Sequence, residues 1–323
     1  MKTRLLATVA LAISAACATC AHAQQPFPTK VVRMIVGYPP GGSIDLVARM
    51  VGQEFTKVMG QQFIVDNRAG AGGTIAAQTV ASAPPDGYTL LAGAAGQISS
   101  APSNFKKLSY DPARDFAPIA LIANQPNILI VHPSVPVRSA KEFIARVKTN
   151  PGKFTYGSSG IGATQHMSAE LFSMMTGASI VHVPYKGGAP AMIDLLSGQI
   201  DFIFSVVPTA VPYINNGRVR AIALTSAKRI ESLPDVPTLH ESGLKGFDFS
   251  GWIGLLGPSN MPRAIVMQLN AETNKAVNGP LRKPLIDLGL GLAGGTPEQF
   301  AEFIKEDTAK VAKVVKAAKI EPQ

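Results

Sequence analysis

Two glycine-rich junctions hold the residue types that grip an anion. In YPPGGSID, residues 38–45, Gly41 and Gly42 permit close backbone approach and Ser43 offers a capping hydroxyl. The helix starting there aims its free N–H groups at the end of the apolar run VVRMIVG, and aligned N–H groups attract negative charge. Read alone, this junction fits equally well a tight connection in which Gly and Pro serve geometry only. A second junction shifts the balance. In KFTYGSSGIGATQHMSAELFSMM a strand runs into GSSGIG, residues 157–162, and a helix follows with Met167, Leu171 and Met174 or Met175 on one face before Gly177. Hydroxyls at Ser43, Ser158, Ser159 and Thr164 suit a carboxylate without a buried cation. Two strand ends are further candidates. SIVHVPYKGG carries Tyr185 and Lys186, and IDFIFS places Ser205 at a strand's C-terminal edge, with Phe204 read as core before ligand stack.

Other chemistries find less support. Neither loop has the G-x-x-x-x-G-K-[ST] or G-x-G-x-x-G spacing of phosphate-nucleotide sites. His132, His166, His182 and His240 show no metal-ligand spacing, so no metal and no cofactor is expected. The serines of GSSGIG are placed differently from a G-x-S-x-G elbow, so a secreted serine hydrolase using Ser158 or Ser159 with His166 is a rival reading, and no enzyme activity is expected. A ligand-sensing partner protein is a third. His166, in the first turn of its helix, reads as an organiser of the loop.

These junctions need strands and helices to carry them. Short apolar runs alternate with helix-period segments from Val31 onward, the pattern of an α/β fold with largely parallel sheets. Expected strands are VVRMIVGY, QFIVDN, YTLLAGA, PNILIVHP, KFTYGS, SIVHVPY, IDFIFS, VRAIALTS and SGWIGLLGP. After Ser43, Ile44, Val47, Val51, Phe55 and Val58 recur at helical spacing, with Gly60 as the stop. Ser139 to Glu142 and Thr296 to Gln299 are capping-box patterns. The segment FAPIALIANQPNILIVHP exceeds a single strand in length and is read as a crossing between lobes; a second crossing is expected in VRAIALTSAKRIESLPDVPT. The expected division is a discontinuous lobe 1 from 24–124 and 226–323, with 125–225 inserted as lobe 2, an arrangement suited to a hinge.

Residues 1–23 read as a secretory signal peptide, with Lys2 and Arg4 ahead of an apolar run and Ala21-His22-Ala23 as the cleavage signal. Cys17 and Cys20 both fall within it, which leaves 300 of the 323 residues without a thiol. No later run of about eighteen apolar residues suggests a membrane span. Without Lys2 and Arg4 the formal charge drops from +9 to +7, and the basic residues are scattered without aromatic interleaving, which disfavours nucleic acid. An exported, soluble monomer is expected.

The series YPPGGSID, VDNRAGAGG, PPDGYTLL, YDPARDFAPIA, YGSSGIGATQHMSAELF, VPYKGGAPAMIDLLSGQIDFIF and GWIGLLGPSNMP resembles the substrate-binding receptors of tripartite tricarboxylate transporters, the Bug receptors. The resemblance implies a two-lobe type II periplasmic-binding-protein fold that closes on a small organic acid and delivers it to membrane permease subunits. It further implies that one ligand carboxylate is held by two loops. The first supplies Pro40, Gly41, Gly42, Ser43 and Asp45. The second supplies Ser158, Gly160, Gly162, Ala163, Thr164 and His166. Ala95, Gln97, Phe204 and Ser205 match positions shaping the rest of the pocket, and Tyr38 and Tyr185 are apolar candidates for it, as is Trp252, each equally readable as core or rim. Many relatives carry an acidic residue where Ser205 stands, so the ligand is expected to lack a charged amine.

Overall fold

The computed structural model describes residues 27–185 and 187–322; the expected signal peptide, with the rest of residues 1–26, Lys186 and Gln323, lies outside the described residues. The chain alternates strand and helix from the start. Strand β1 (Val32–Val36) leads into helix α1 (Ser43–Met59), whose Ile44, Val47, Val51 and Phe55 are buried, and Gly60 closes it in the left-handed conformation. Val58, read as part of that apolar face, is exposed. β2 (Phe63–Asn67), α2 (Thr74–Ala81) and β3 (Thr89–Ala94) follow. A π turn at Gly96–Ser100 then runs into the short α3 (Ala101–Asn104).

The expected crossing segment is one strand, β4 (Phe116–Val131), of 16 residues. Register shifts between Pro118 and Ala120 and between Leu121 and Ala123 show how a strand of this length survives: bulges bend it and strengthen its twist. Beyond it come α4 (Ala140–Thr149), β5 (Thr155–Ser158), α5 (Thr164–Thr176), β6 (Val181–Pro184), α6 (Gly188–Leu196), β7 (Phe202–Val206), α7 (Val207–Asn215) and β8 (Arg220–Leu224). An irregular stretch leads to β9 (Ser250–Pro258), and the chain finishes with α8 (Arg263–Asn278), α9 (Arg282–Asp287), β10 (Gly291–Leu292) and α10 (Pro297–Ala317). Two helix caps form as the sequence indicates. Ser139 accepts from the Glu142 N–H at the start of α4, and Thr296 and Gln299 form a reciprocal box at the start of α10.

The sheet runs β2-β1-β3-β9-β4-β7-β5-β6, with β8 and β10 also on β4. Between the named strands, parallel pairing is confined to two wings, β2-β1-β3 and β7-β5-β6, while every pairing of β4 and β9 is antiparallel. β4 belongs to both wings. Its first part pairs with β9 as far as Pro126, opposite Ser250, and Asn127 to Val131 pair with β7. Pro126, which has no N–H to donate, falls at this change of partner.

Each wing is covered on both faces, giving four apolar clusters. Met34, Val47, Leu90, Ile122, Ile253 and Leu269 typify one face of the first wing, and Ile35, Leu91, Trp252 and Phe300 the other. Phe143, Tyr156, Met167 and Phe202 lie on one face of the second wing, with Ile128, Met192 and Ile203 on the opposite face. Leu239, Phe247 and Phe249 pack with this second wing, as does Ile230. The return to the first wing therefore begins at β9, later than the position 226 read from the sequence. Helix α10 bridges the two: Phe300 and Ile304 pack on the first wing, Val311, Val314 and Val315 on the second. Among the described residues no helix is long and apolar enough to cross a membrane.

Candidate functional site

Helix α1 starts at Gly42, which caps with extended backbone (φ −75°, ψ 164°) and no side-chain bond. Ser43 does not cap; it is the first helical residue, and its Oγ accepts from Gln125 Nε2 at 2.5 Å. The turn before it is shaped by Asp45. Gly41, at φ +86°, donates its N–H to Asp45 Oδ2 at 3.0 Å, Arg49 Nε donates to the same oxygen at 3.0 Å, and Asn67 Nδ2 donates to Oδ1 at 2.9 Å. Burial opposes the charge of Asp45, but the bonds from Arg49, Gly41 and Asn67 outweigh it and hold its carboxyl below the usual range.

Helix α5 is built alike. Ala163 caps it with extended backbone and no side-chain bond, after Gly160 at φ +130° and Gly162 at φ +79°. Gln165 Oε1 accepts from both the N–H and the hydroxyl of Ser159. Gly162 donates its N–H to His166 Nδ1 at 3.1 Å, and Asn104 Nδ2, from the first wing, donates to the Gly162 carbonyl at 3.2 Å.

Both helix starts open onto one cavity of about 530 Å³, lined by Tyr38, Ser43, Ile44, Ala95, Asn104, Phe105, Gln125, Ser159, Gly162, Ala163, Thr164, Gln165 and Gly251 among others. Gly187, which caps α6 without a side-chain bond, lines it too. A neighbouring cavity of about 220 Å³ shares Ser159, Gln165 and Val206 with it and adds Ser158, Phe204, Ser205 and Thr209. No Lys, Arg or His is among the described residues lining either, and Glu321, on the exposed tail, is the one charged side chain. What the lining offers is backbone N–H groups, hydroxyls and amides.

The expected site residues divide. Tyr38, Ser43, Ala95, Gly162, Ala163 and Thr164 line the larger cavity, and Ser158, Phe204 and Ser205 the smaller. Pro40, Gly41 and Gly42 are exposed in their turn, off both cavity walls. Asp45 and His166 are buried behind the loops they brace, and Gly160 bonds Ser158. Gln97 is fully buried under Gly37 and Gly73, with its side-chain amide unpaired. Tyr185 turns its hydroxyl to Asp194 Oδ2 at 2.6 Å. Trp252 borders the cavity, yet it is fully buried and donates Nε1 to Asp307 and Ser99. Asn104, Gln125 and Gln165 were missed. Gln125 stood out as a polar residue inside an apolar strand; nothing local marked Asn104.

The rival pairing of Ser158 with His166 is absent. His166 Nδ1 takes the Gly162 N–H and its Nε2 lies 3.6 Å from Glu170 Oε1. Ser158 Oγ instead sits 2.7 Å from Nε2 of His182. Burial, with the stacked His166 ring beside it, pushes His182 down to about 4. Its folded value is below that of a free imidazole, so between about pH 6.5 and pH 4 the unfolded chain binds the extra proton and stability falls as pH falls. Urea melts are expected to show roughly 1–3 kcal/mol less stability at pH 4 than at pH 7 from this group. His182→Gln should flatten that slope; an unchanged slope would assign it to other groups.

Two parallel wings sharing central strands, with a cavity between uncapped helix starts, define a two-lobe solute-binding protein. The model of the tripartite tricarboxylate transporter family receptor matches residues 47–320, and the chain belongs to that family. It is 33% identical over 323 residues to the protein BugT of Bordetella pertussis, covering 97% of each chain. Among solved structures it is similar to R. palustris Rpa4515 with adipate, at 36% identity and TM-score 0.83, covering 92% of this chain and all of that one. It is also similar to MatC of Rhodopseudomonas palustris with bound malate, at 34% identity and TM-score 0.77, covering 90% of this chain and all of that one. The family is one of receptors rather than enzymes.

Proposed function

We propose that this chain is an exported periplasmic receptor that captures a small organic di- or tricarboxylate, or an aromatic acid, and delivers it to the permease of a tripartite transporter. The observation that carries this is the convergence of the α1 and α5 starts, neither capped by a side chain, on one cavity whose described lining has no cation. A carboxylate there completes helix N–H groups that have no partner of their own. Contacts from both wings favour the closed state, and β4 and β9 form the hinge, with residues 226–249 moving with the second lobe. Micromolar capture requires about 8 kcal/mol. Charge-assisted hydrogen bonds at about 1.5–3 kcal/mol each supply much of it. The adipate and malate carried by the two similar structures are the first compounds to test.

The ligand lacks an amino group: the smaller cavity offers no carboxylate to pair with an ammonium, and the Ser205 hydroxyl faces its neighbour's carbonyl at 3.2 Å. Calorimetry against adipate, malate, succinate and aromatic acids, beside aspartate and glutamate, tests both points. Tight binding of the amino acids alone would overturn the second, and no carboxylate binding would overturn the first. Thr164→Val, which removes one cavity hydroxyl and leaves the backbone donors, should weaken the best acid about three- to tenfold.

A further inference from the structure

Behind the α5 start lies a stacked group that lines neither cavity. Parallel pairing sets Tyr156 of β5 opposite His182 of β6, and their rings stack at 4.7 Å. His166 stacks on His182 at 4.2 Å and 11° and lies 6.5 Å from the Tyr156 ring. Each imidazole holds a different end of the loop. His166 Nδ1 accepts the N–H of Gly162, and His182 Nε2 bonds Ser158 Oγ, which in turn accepts the N–H of Gly160 at 3.1 Å. Tyr156 donates its hydroxyl to Glu170 Oε1 at 2.7 Å, and that oxygen also faces His166 Nε2.

We propose that His166 and His182 are positioning residues, a stacked pair that fixes the 158–162 loop through its backbone while both rings are neutral and lets it go when His166 takes a proton. The inference rests on the reading of that loop as part of the carboxylate site. The geometry fixes the proton inventory. With Nδ1 accepting from Gly162, neutral His166 carries its hydrogen on Nε2, toward Glu170. A second proton can enter only at Nδ1, where it meets the Gly162 N–H donor against donor, and that contact must open. Glu170 stabilises the resulting imidazolium. The titratable groups facing the pair are Glu170, Tyr156 and each ring for the other. Tyr156 also stacks on Phe202 of β7, at 5.6 Å.

The test combines adipate calorimetry with the Gly162 amide resonance in a ¹H–¹⁵N spectrum, each at pH 7.5 and 5.5. In the native chain affinity should drop about tenfold at the lower pH, and the Gly162 amide should shift upfield as its acceptor is lost. At pH 7.5, His166→Leu should bind about tenfold more weakly than the native chain. His166→Asn, whose Oδ1 replaces Nδ1 as acceptor and does not titrate, should bind within about threefold of it and be indifferent to pH. Parallel pH dependence in the native chain and in His166→Asn would overturn the proposal, as would full affinity in His166→Leu. If adipate binds none of them, the receptor reading fails for this acid, and the Gly162 resonance in ligand-free protein still decides: an amide unmoved by pH or by His166→Leu refutes the relay.

Discussion

Gly162→Val is expected to weaken carboxylate binding by about a hundredfold or more, roughly 2.7 kcal/mol, while lowering the melting temperature by only a few degrees. Three effects converge. The residue sits at φ +79°, where a side chain costs about 1–2 kcal/mol. A Cβ there collides with the amide of Asn104, lying 2.7 Å from its Cγ, and so disturbs the bond by which Asn104 holds the Gly162 carbonyl across the cleft. The branched side chain also occupies the approach to the α5 N–H groups. The strain falls on a loop and leaves the packed wings intact. Combining the change with Asn104→Ala separates these causes: recovery of affinity in the double variant would assign the loss to the collision, and continued loss to the blocked approach. Gly42→Val, an equal partner when only the sequence is read, is expected to cost under about threefold. Its φ of −75° suits any residue, its Cβ would meet nothing nearer than the Pro39 carbonyl at 3.7 Å, and it lies off the cavity wall. Equal losses at the two glycines would show that the first loop, too, brings its turn onto the ligand.

What the sequence made legible follows from the range of the forces involved. Strand and helix positions, the Gly60 and Gly177 stops and the Ser139 and Thr296 caps are local, set by periodicity and by bonds spanning three or four residues, and they form where read. The two glycine-rich helix starts were legible for the same reason. Gly42 lies off the cavity wall and Asp45 behind it, because sequence adjacency to a helix start fixes neither which part of a turn meets the cavity nor which way a side chain points. Asp45 turns inward, since Arg49 and Asn67 are there to hold it. Gln125, Asn104 and His182 enter through pairings 82, 58 and 24 residues apart in the chain, where no local pattern registers. The length of β4 misled for a related reason: only two different sets of partners, met at either end, let a 16-residue strand serve both wings.

Trp252→Ala is expected to destabilise the fold by about 3–5 kcal/mol, the largest stability effect of any single truncation considered. The indole is fully buried, edge-on to Phe300 at 5.3 Å and Phe303 at 6.3 Å. Its Nε1 donates to Asp307 Oδ2 at 2.9 Å and to Ser99 Oγ at 3.2 Å, which ties β9, the π turn and α10 together. Asp307 is itself buried, with Lys310 Nζ 3.5 Å from its other oxygen. Two costs are therefore stacked at one position, a cavity and a carboxylate deprived of a donor. Trp252→Phe keeps most of the apolar contact and removes only the donor, so it should cost about 1–3 kcal/mol. Adding Asp307→Leu to it should cost less than the sum of the two single changes, because each change alone strands the other's partner. Urea melts followed by circular dichroism measure all four proteins, since Trp252 is the sole tryptophan and its loss removes the fluorescence signal. Strict additivity would mean the indole–carboxylate bond contributes nothing, and α10 would then owe its place across the two wings to its apolar side chains, Phe300, Ile304, Val311, Val314 and Val315 among them.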